Sequence, residues 1–236
     1  MSLPLAIVGH GKMGRLVEQL APRCGFHVVA RFTSSDIASL SRDTLAGAST
    51  AIEFSAPHVA AENLCRLASL GISTVCGTTG WYECLPAIRQ SFEFSGSALV
   101  YGPNFSVGMN IFFELVSNAA ARLAAHPEYE AWGWEIHHSE KKDAPSGTLK
   151  KLAEEIRASG YSAPINLAAN RAGSHTGTHE IGFDSAADTI TLRHTARSRE
   201  AYALGALQAA AWLQDKKGVY EFREILSDLG AKKVFL

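Results

Sequence analysis

This chain of 236 residues lacks an excess of charge of either sign: 22 Lys and Arg face 23 Asp and Glu, for a formal net charge of −1. Such a balance leaves no electrostatic footprint for nucleic acid or an anionic membrane. No run approaches the roughly 20 apolar residues of a membrane span. The opening residues, Met-Ser-Leu-Pro-Leu-Ala-Ile-Val-Gly, hold no basic stretch and pass directly into an apolar run, so no signal peptide is expected. Only four cysteines occur, Cys24, Cys65, Cys76 and Cys84, and none shows CxxC or metal-ligand spacing. They read as reduced thiols, which makes a cytoplasmic location the expectation. Internal repeats and low-complexity segments are missing too. What remains is the composition of an ordinary globular protein, 47% hydrophobic and 19% charged, long enough for one large or two modest domains.

The first half reads as an open parallel sheet with helices. The apolar run Leu5 to Val8 meets Gly9-His10-Gly11-Lys12-Met13-Gly14, and Met13, Leu16, Val17 and Leu20 then recur as one helix face. Strand, G-x-G-x-x-G and helix form the dinucleotide fingerprint in its required context. The glycines allow a tight turn and the close approach of a pyrophosphate to the helix N-terminus. A second strand is expected over Phe26 to Phe32. At its end an NAD site keeps a carboxylate for the ribose 2′-hydroxyl. Here stand Arg31, Thr33, Ser34 and Ser35, with Asp36 slightly beyond. Hydroxyls and an arginine without that carboxylate lean toward NADPH over NADH. Asp36, one or two positions late, is the alternative acid.

Further strands are expected over Thr50 to Phe54, Ile72 to Cys76 and Ala98 to Tyr101. Pro57 is placed to open a helix that Gly71 closes. The strands end in small or polar loops, among them Gly77-Thr78-Thr79-Gly80 and Gly102-Pro103-Asn104-Phe105-Ser106. In a parallel sheet that edge binds ligands. Val107 to about Ala125 is helical in pattern and leads toward a second domain. Glu130 to His138 alternates as a strand does. Ala172 to Phe183 and Thr189 to His194 do so as well. Two last helical stretches, about Arg199 to Leu213 and Val219 to Leu229, include the small-residue run Ala203 to Ala211, suited to close packing on a sheet. The expected division is 1–107 with 199–236 as the dinucleotide-binding domain and 108–198 as the second domain.

The densest chemistry lies between Trp134 and Leu149, where His137-His138-Ser-Glu140-Lys141-Lys142-Asp143 precedes Ala-Pro-Ser146-Gly147-Thr148. Histidine titrates near neutral pH and lysine can donate a proton. On a strand, adjacent histidines point to opposite faces, so His137 and His138 are not expected to share one task. One faces substrate; the other packs or binds. Lys141 follows His137 by four residues, and Lys142 and Glu140 read as solvated charge. Ser146 suits an N-cap, leaving the backbone N–H groups of Gly147 and Thr148 as a ready carboxylate site. A metal set of His137, His138, His175 and His179 is set aside. The i, i+4 spacing of His175 and His179 needs a helix, and Gly173, Gly177 and Gly182 argue against one. A fingerprint in one half and proton carriers in the other indicate a two-domain reductase or dehydrogenase. The alternative is a non-catalytic NAD(P)-binding sensor.

The residues His137-His138-Ser-Glu-Lys141-Lys-Asp143-Ala-Pro-Ser-Gly147-Thr148 are similar to the H-H-x-x-K-x-D-x-P-S-G-T signature of the 4-hydroxy-tetrahydrodipicolinate reductase family. Gly77-Thr-Thr-Gly80, Pro103-Asn-Phe-Ser-Val-Gly-Met-Asn110, Arg171-Ala-Gly173, Ser198-Arg199 and Gly218-Val-Tyr-Glu-Phe-Arg-Glu-Ile-Leu226 resemble the family as well. The resemblance implies a Rossmann-like domain and an α+β substrate-binding and tetramerisation domain with an open mixed sheet. It implies His137 as proton donor or acceptor and Lys141 as proton donor. His138, Gly147 and Thr148 would bind the dicarboxylate substrate. Gly9 to Met13, Gly77 to Thr79 and Gly102 to Phe105 would line NADPH or NADH. The implied reaction is reduction of the cyclic imine at carbon 4 with loss of water, in diaminopimelate and lysine biosynthesis, by a homotetramer. The chain departs from the family's pattern at Thr33-Ser34, where an acidic residue is frequent, and in a short segment from Asp36 to Ala48.

Overall fold

A computed structural model describes residues 2–231; Met1 and 232–236, which fall in the expected first domain, lie outside the described residues. The chain divides into two compact units, Met1–Val107 with Glu200–Leu236, and Gly108–Arg199.

The first unit is built on six parallel strands: β1 Leu3–Val8, β2 Phe26–Phe32, β3 Thr50–Glu53, β4 Ser73–Cys76, β5 Ala98–Tyr101 and, late in the chain, β10 Gly218–Glu221. Their order is β10-β5-β4-β3-β1-β2. The inner strands β1, β3, β4 and β5 bury residues on both faces, as a parallel sheet covered on both sides requires. Leu5, Ile7, Ile52, Val75 and Val100 join α1 (Lys12–Leu20) and α6 (Glu200–Trp212) on one side. Ala6, Val8 and Ala51, and separately Cys76 and Leu99, face the other, beneath α2 (Pro57–Ser69) and α3 (Leu85–Ser95). Pro57 does open α2, and Gly71, at φ +69°, follows its C-cap Leu70. The small residues of α6 serve close packing. A Cβ on Gly205 would stand 1.7 Å from the Phe105 carbonyl oxygen, so only glycine permits this approach.

Between β2 and β3 no α-helix forms. A 3₁₀ turn at Ile37–Ser39 and a chain of turns take its place, with Leu40 and Leu45 filling the layer beside Phe32. The short segment from Asp36 is thus a trimmed crossover. The Val219–Leu229 stretch differs from its helical expectation. It forms β10, a 3₁₀ turn at Phe222–Ile225 and α7 (Leu226–Ala231). A four-residue edge strand followed by a 3₁₀ turn leaves apolar residues at spacings that imitate a helix. α3 had no counterpart in the sequence reading.

The second unit comprises α4 (Val107–Leu123, beginning on the boundary residue), α5 (Gly147–Ala158) and a four-stranded mixed sheet in the order β7-β6-β8-β9. Here β6 is Glu130–His137, β7 Ile165–Arg171, β8 Thr178–Asp184 and β9 Thr189–Thr195. β7 runs parallel to β6, and the other pairs are antiparallel. The expected strand over Ala172 to Phe183 is corrected in two respects. Residues 172–177 are a loop, with Gly173 at φ +53° and Gly177 at φ +145°, conformations that break a strand. β7 lies earlier, over Ile165–Arg171, where Asn166, Ala168 and Asn170 alternate outward with Ile165, Leu167, Ala169 and Arg171 facing in. Met109, Phe112, Val116, Leu149, Leu152, Ile156, Ile181 and Phe183 form the core beneath one face of this sheet.

Candidate functional site

In the first unit the loop from β1 to α1 uses its three fingerprint glycines differently. Gly9 adopts φ +91°, and a Cβ there would lie 2.3 Å from the Phe54 carbonyl oxygen. A Cβ on Gly14 would lie 2.3 Å from the Gly9 oxygen, so Gly14 lets the helix close on its own strand. Gly11, the N-cap of α1, meets nothing within 4 Å. Its openness leaves the first N–H groups of the helix available, with no acidic residue in that turn to compete. Such a start suits a phosphate.

Beside it lies a cavity of about 520 Å³ lined by Gly9, His10, Gly11, Thr33, Ser34 and also by Ser55, Ala56, His58 and Val59. Lys12 and Met13 begin α1 outside this lining. Gly77, Thr78 and Thr79 follow β4, and Gly102, Pro103, Asn104 and Phe105 follow β5, on the same C-terminal edge of the sheet. A Cβ on Gly77 would enter the Phe54 ring at 2.0 Å. The buried Thr78 Oγ1 has no hydrogen-bond partner among the described residues, an orphaned donor that a ligand can satisfy. The Phe105 ring is buried in the core against Phe222, with centroids 4.6 Å apart, so only its backbone is available to a ligand. Together these features fit a dinucleotide.

Two side chains are engaged differently from the sequence reading. Arg31 is committed to Glu18, donating from Nε at 2.7 Å and again from Nη2. The same carboxylate contacts His10 Nε2 at 2.6 Å. Asp36 turns back on the end of β2, accepting from the Thr33 N–H and, at 3.1 Å, from the Thr33 hydroxyl.

In the second unit the chemistry gathers on the inner face of the sheet. Glu135 and His137 share that face because strand residues two apart do. Register sets Glu135 opposite His179 on β8 and His137 opposite Arg171 on β7. His137 Nε2 lies 3.3 Å from His179 Nε2 and 3.5 Å from Glu135 Oε2, and His179 Nε2 lies 3.3 Å from the same oxygen. Arg171 Nη2 donates to Glu135 Oε1 at 2.8 Å. Ser146 donates to Glu135 from its backbone N–H at 2.8 Å and from its hydroxyl. The Ser146 hydroxyl oxygen also accepts from the Leu149 N–H at 3.1 Å, making Ser146 the N-cap of α5. Glu135 is fully buried, and His137 and His179 nearly so.

Burial dictates the charges here. Desolvation raises the Glu135 carboxyl, but the Ser146 hydroxyl, Arg171 and the Ser146 N–H outweigh it, leaving its pKa below the ordinary value. Burial lowers His137 against the pull of Glu135, with Lys141 and Arg171 adding to the fall. His179 drops to about 4, mainly by burial and then by repulsion from His137. At neutral pH the cluster is therefore one carboxylate, one guanidinium and two neutral imidazoles. Gly177 presses on the catalytic candidate. A Cβ there would lie 2.8 Å from His137 Cε1.

Lys141 leaves the end of β6 on a turn and donates to both oxygens of Asp143, at 2.7 and 2.9 Å. The Lys141 contact lowers the Asp143 pKa, and a hydrogen bond from the Gly147 backbone contributes. His138, the first residue after β6, is half-buried, Thr148 is half-buried and Gly147 exposed at the start of α5. Glu140 and Lys142 are exposed. The four-histidine metal set does not assemble, because His175 sits exposed in the loop before β8. A different trio, Glu135, His137 and His179, brings potential ligand atoms within 4.8 Å of one another. Its carboxylate is already met by Ser146 and Arg171, the pattern of a hydrogen-bond network. Local spacing assigns Glu135 and Arg171 no role, and it brings in His179 only for the metal set that is set aside. The available signal was Glu135 itself, a charge on the inward phase of a strand two residues before His137.

The family model described as "Dihydrodipicolinate reductase, N-terminus" matches residues 3–105, and that described as "Dihydrodipicolinate reductase, C-terminus" matches residues 108–226. A 4-hydroxy-tetrahydrodipicolinate reductase of Christiangramia forsetii is 34% identical over 95% of this chain and 98% of its own length. One from Archaeoglobus fulgidus is 33% identical over 92% and 96%. Among solved structures, the dipicolinate-bound dihydrodipicolinate reductase from Paenisporosarcina sp. TG-14 superposes with a TM-score of 0.80 at 22% identity, covering 95% of this chain and all of that one, which is a likeness of fold. With a nucleotide cradle at one sheet edge, a buried histidine–carboxylate cluster on another sheet and both halves matched, the chain belongs to the dihydrodipicolinate reductase family.

Proposed function

We propose that this chain reduces 4-hydroxy-tetrahydrodipicolinate to tetrahydrodipicolinate in diaminopimelate and lysine biosynthesis. One hydride and one proton enter, and one water leaves. The bound nicotinamide dinucleotide supplies the hydride. Gly9 to Met13 and the open start of α1 hold its phosphates; the loops Gly77–Thr79 and Gly102–Phe105 complete the cradle. The observation that carries the substrate half of this reading is that Lys141 Nζ and the Gly147 backbone meet one carboxylate, that of Asp143. A cation and a helix N-terminus that already satisfy one carboxylate are equipped to receive a substrate's. In this reading Gly147, Thr148 and His138 bind the dicarboxylate, Lys141 donates a proton, and His137 exchanges one.

NADPH is taken at least as well as NADH. Thr33 and Ser34 offer hydroxyls to the cavity, and Asp36 is turned back on Thr33. With Arg31 held by Glu18, the margin between the cofactors is small. The outer face of the second sheet, where the half-buried Trp132 and Trp134 alternate with the inward residues of β6, serves a homotetramer. Among the described residues no helix is long and apolar enough to cross a membrane, and the four cysteines are free, which supports the cytoplasm as the location.

The test is NAD(P)H oxidation, followed by absorbance, with freshly generated 4-hydroxy-tetrahydrodipicolinate. Turnover with NADPH at least equal to that with NADH is expected. Cofactor binding without turnover would make the chain a sensor, and a strong NADH preference would refute the role given to Thr33 and Ser34.

A further inference from the structure

The buried network around Glu135 does more chemistry than packing requires. A fully buried carboxylate costs several kcal/mol unless paired and hydrogen-bonded. Arg171 and the Ser146 N–H already satisfy Oε1. The Ser146 hydroxyl, whose single hydrogen is committed to Oε2, leaves that oxygen as the acceptor nearest both histidines. His179 Nδ1 is buried without a partner. A proton there would be an orphaned donor, whereas at Nε2 it faces the carboxylate. His179 therefore carries its hydrogen on Nε2, and the same anion attracts the hydrogen of His137 to its own Nε2. The 3.3 Å approach of the two rings is thus that of two donors converging on Oε2 rather than a hydrogen bond between them.

Resting on the reading of His137 as the proton-exchanging residue, we propose that Glu135 is its positioning residue. Glu135 holds the His137 proton at Nε2, keeps Nδ1 as the nitrogen that exchanges protons, and stabilises the imidazolium when a second proton arrives. His179 is a neutral wall of this pocket. Its low pKa, about 4, keeps it from competing for the charge. The groups facing His137 are Glu135 on its own strand, Arg171 from β7, His179 from β8 and, from the loop after β6, Lys141 and Asp143. His194 of β9 lies behind His179. Glu135 is the only member of this set that is both negative and buried, so it alone offsets the desolvation of an imidazolium there.

The experiment is an NMR titration of His137 in the free protein, with nitrogen-15 shifts reporting its tautomer, for wild type, Glu135→Gln and His179→Asn. In wild type the neutral His137 is expected as the Nε2–H tautomer. In Glu135→Gln its pKa should fall by about 1 unit or more, the size of one lost opposite charge at close range. kcat should fall about 10²-fold with the cofactor KM unchanged. His179→Asn should move the His137 pKa less. If Glu135→Gln fails to fold, Glu135→Asp carries the same readout, and partial retention of the wild-type pKa is expected. A His137 pKa and tautomer unchanged in the folded Glu135 variant would overturn the proposal. Because the titration needs neither substrate nor cofactor, it decides this point even if the wild-type protein turns nothing over, an outcome that would instead sink the reductase reading.

Discussion

Two carboxylates in this protein each hold histidine and arginine, and their surroundings make them different objects. Glu18, on α1, meets His10 at 2.6 Å and Arg31 Nε at 2.7 Å at the rim of the nucleotide cavity. Glu135, on β6, meets Arg171 at 2.8 Å and two histidines at 3.3 and 3.5 Å. By distance alone the first network is the tighter. Its side chains, however, are 21 to 43% exposed, whereas those of the second are 0 to 15%. Water screens the first, so its ion pairs lower the Glu18 pKa at little gain in stability. The second is dry, and there the same ingredients shift three pKa values together and leave two histidines neutral at pH 7. Burial, more than contact distance, decides which cluster can do proton chemistry.

The contrast is sharpest in Glu135→Ala. It would leave Arg171 uncompensated in a dry interior, and a loss of about 3–5 kcal/mol is expected in urea unfolding. A loss near zero would mean that water enters the cluster and that the two networks are alike after all. Acid probes the same difference without mutation. The folded pKa of His179, about 4, lies below the ordinary histidine value of 6.5, so the unfolded chain binds more protons between those values. Stability is then fully present above pH 6.5 and declines as the pH falls toward 4, by on the order of 3 kcal/mol from this group. The depressed Glu135 acts in the same direction at lower pH, being lost as the pH falls through its folded value. Unfolding midpoints across pH 4 to 7 would measure this, and a flat profile would contradict it. The smallest effect belongs to Glu18→Gln. Stability should change by less than about 1 kcal/mol, and the change should shrink further in high salt, as read by melting at two ionic strengths.

Much of this was open to reading from one-dimensional pattern. The fingerprint glycines announced their turn because each has a steric reason to lack a side chain. β2 and β5 lie at their expected limits because short apolar-rich, β-branched or aromatic runs bounded by Gly25 and Thr33, or by Ser97 and Gly102, have few other uses. Ser146 announced a helix start because a hydroxyl before Gly-Thr-Leu has a capping hydrogen bond to make. β7 was illegible because half of its residues face outward as Asn and Ala, leaving only Ile165, Leu167 and Ala169 to signal a strand. β10 was hidden by a 3₁₀ turn that extends its apolar spacing into a helix-like series. The partners of His137 escaped for another reason. Glu135, Arg171 and His179 stand up to 44 residues apart and meet only through strand register, which no local spacing encodes.

Gly205 carries a consequence for the making of the protein. Its bare backbone rests on the Phe105 carbonyl, at the loop that closes β5, while β10 borders β5 along the sheet. Both contributions come from residues beyond Arg199, after the whole of the second unit has been translated. On a ribosome adding roughly 5–20 residues per second, the contiguous unit from Gly108 to Arg199 has all its strands before the first sheet has its edge. The unit begun first is thus finished last. During that interval the apolar face awaiting α6, with Leu5, Ile7, Ile52 and Val75, has α1 over it but lacks its second helix, and the part left bare is the surface a nascent-chain chaperone would find.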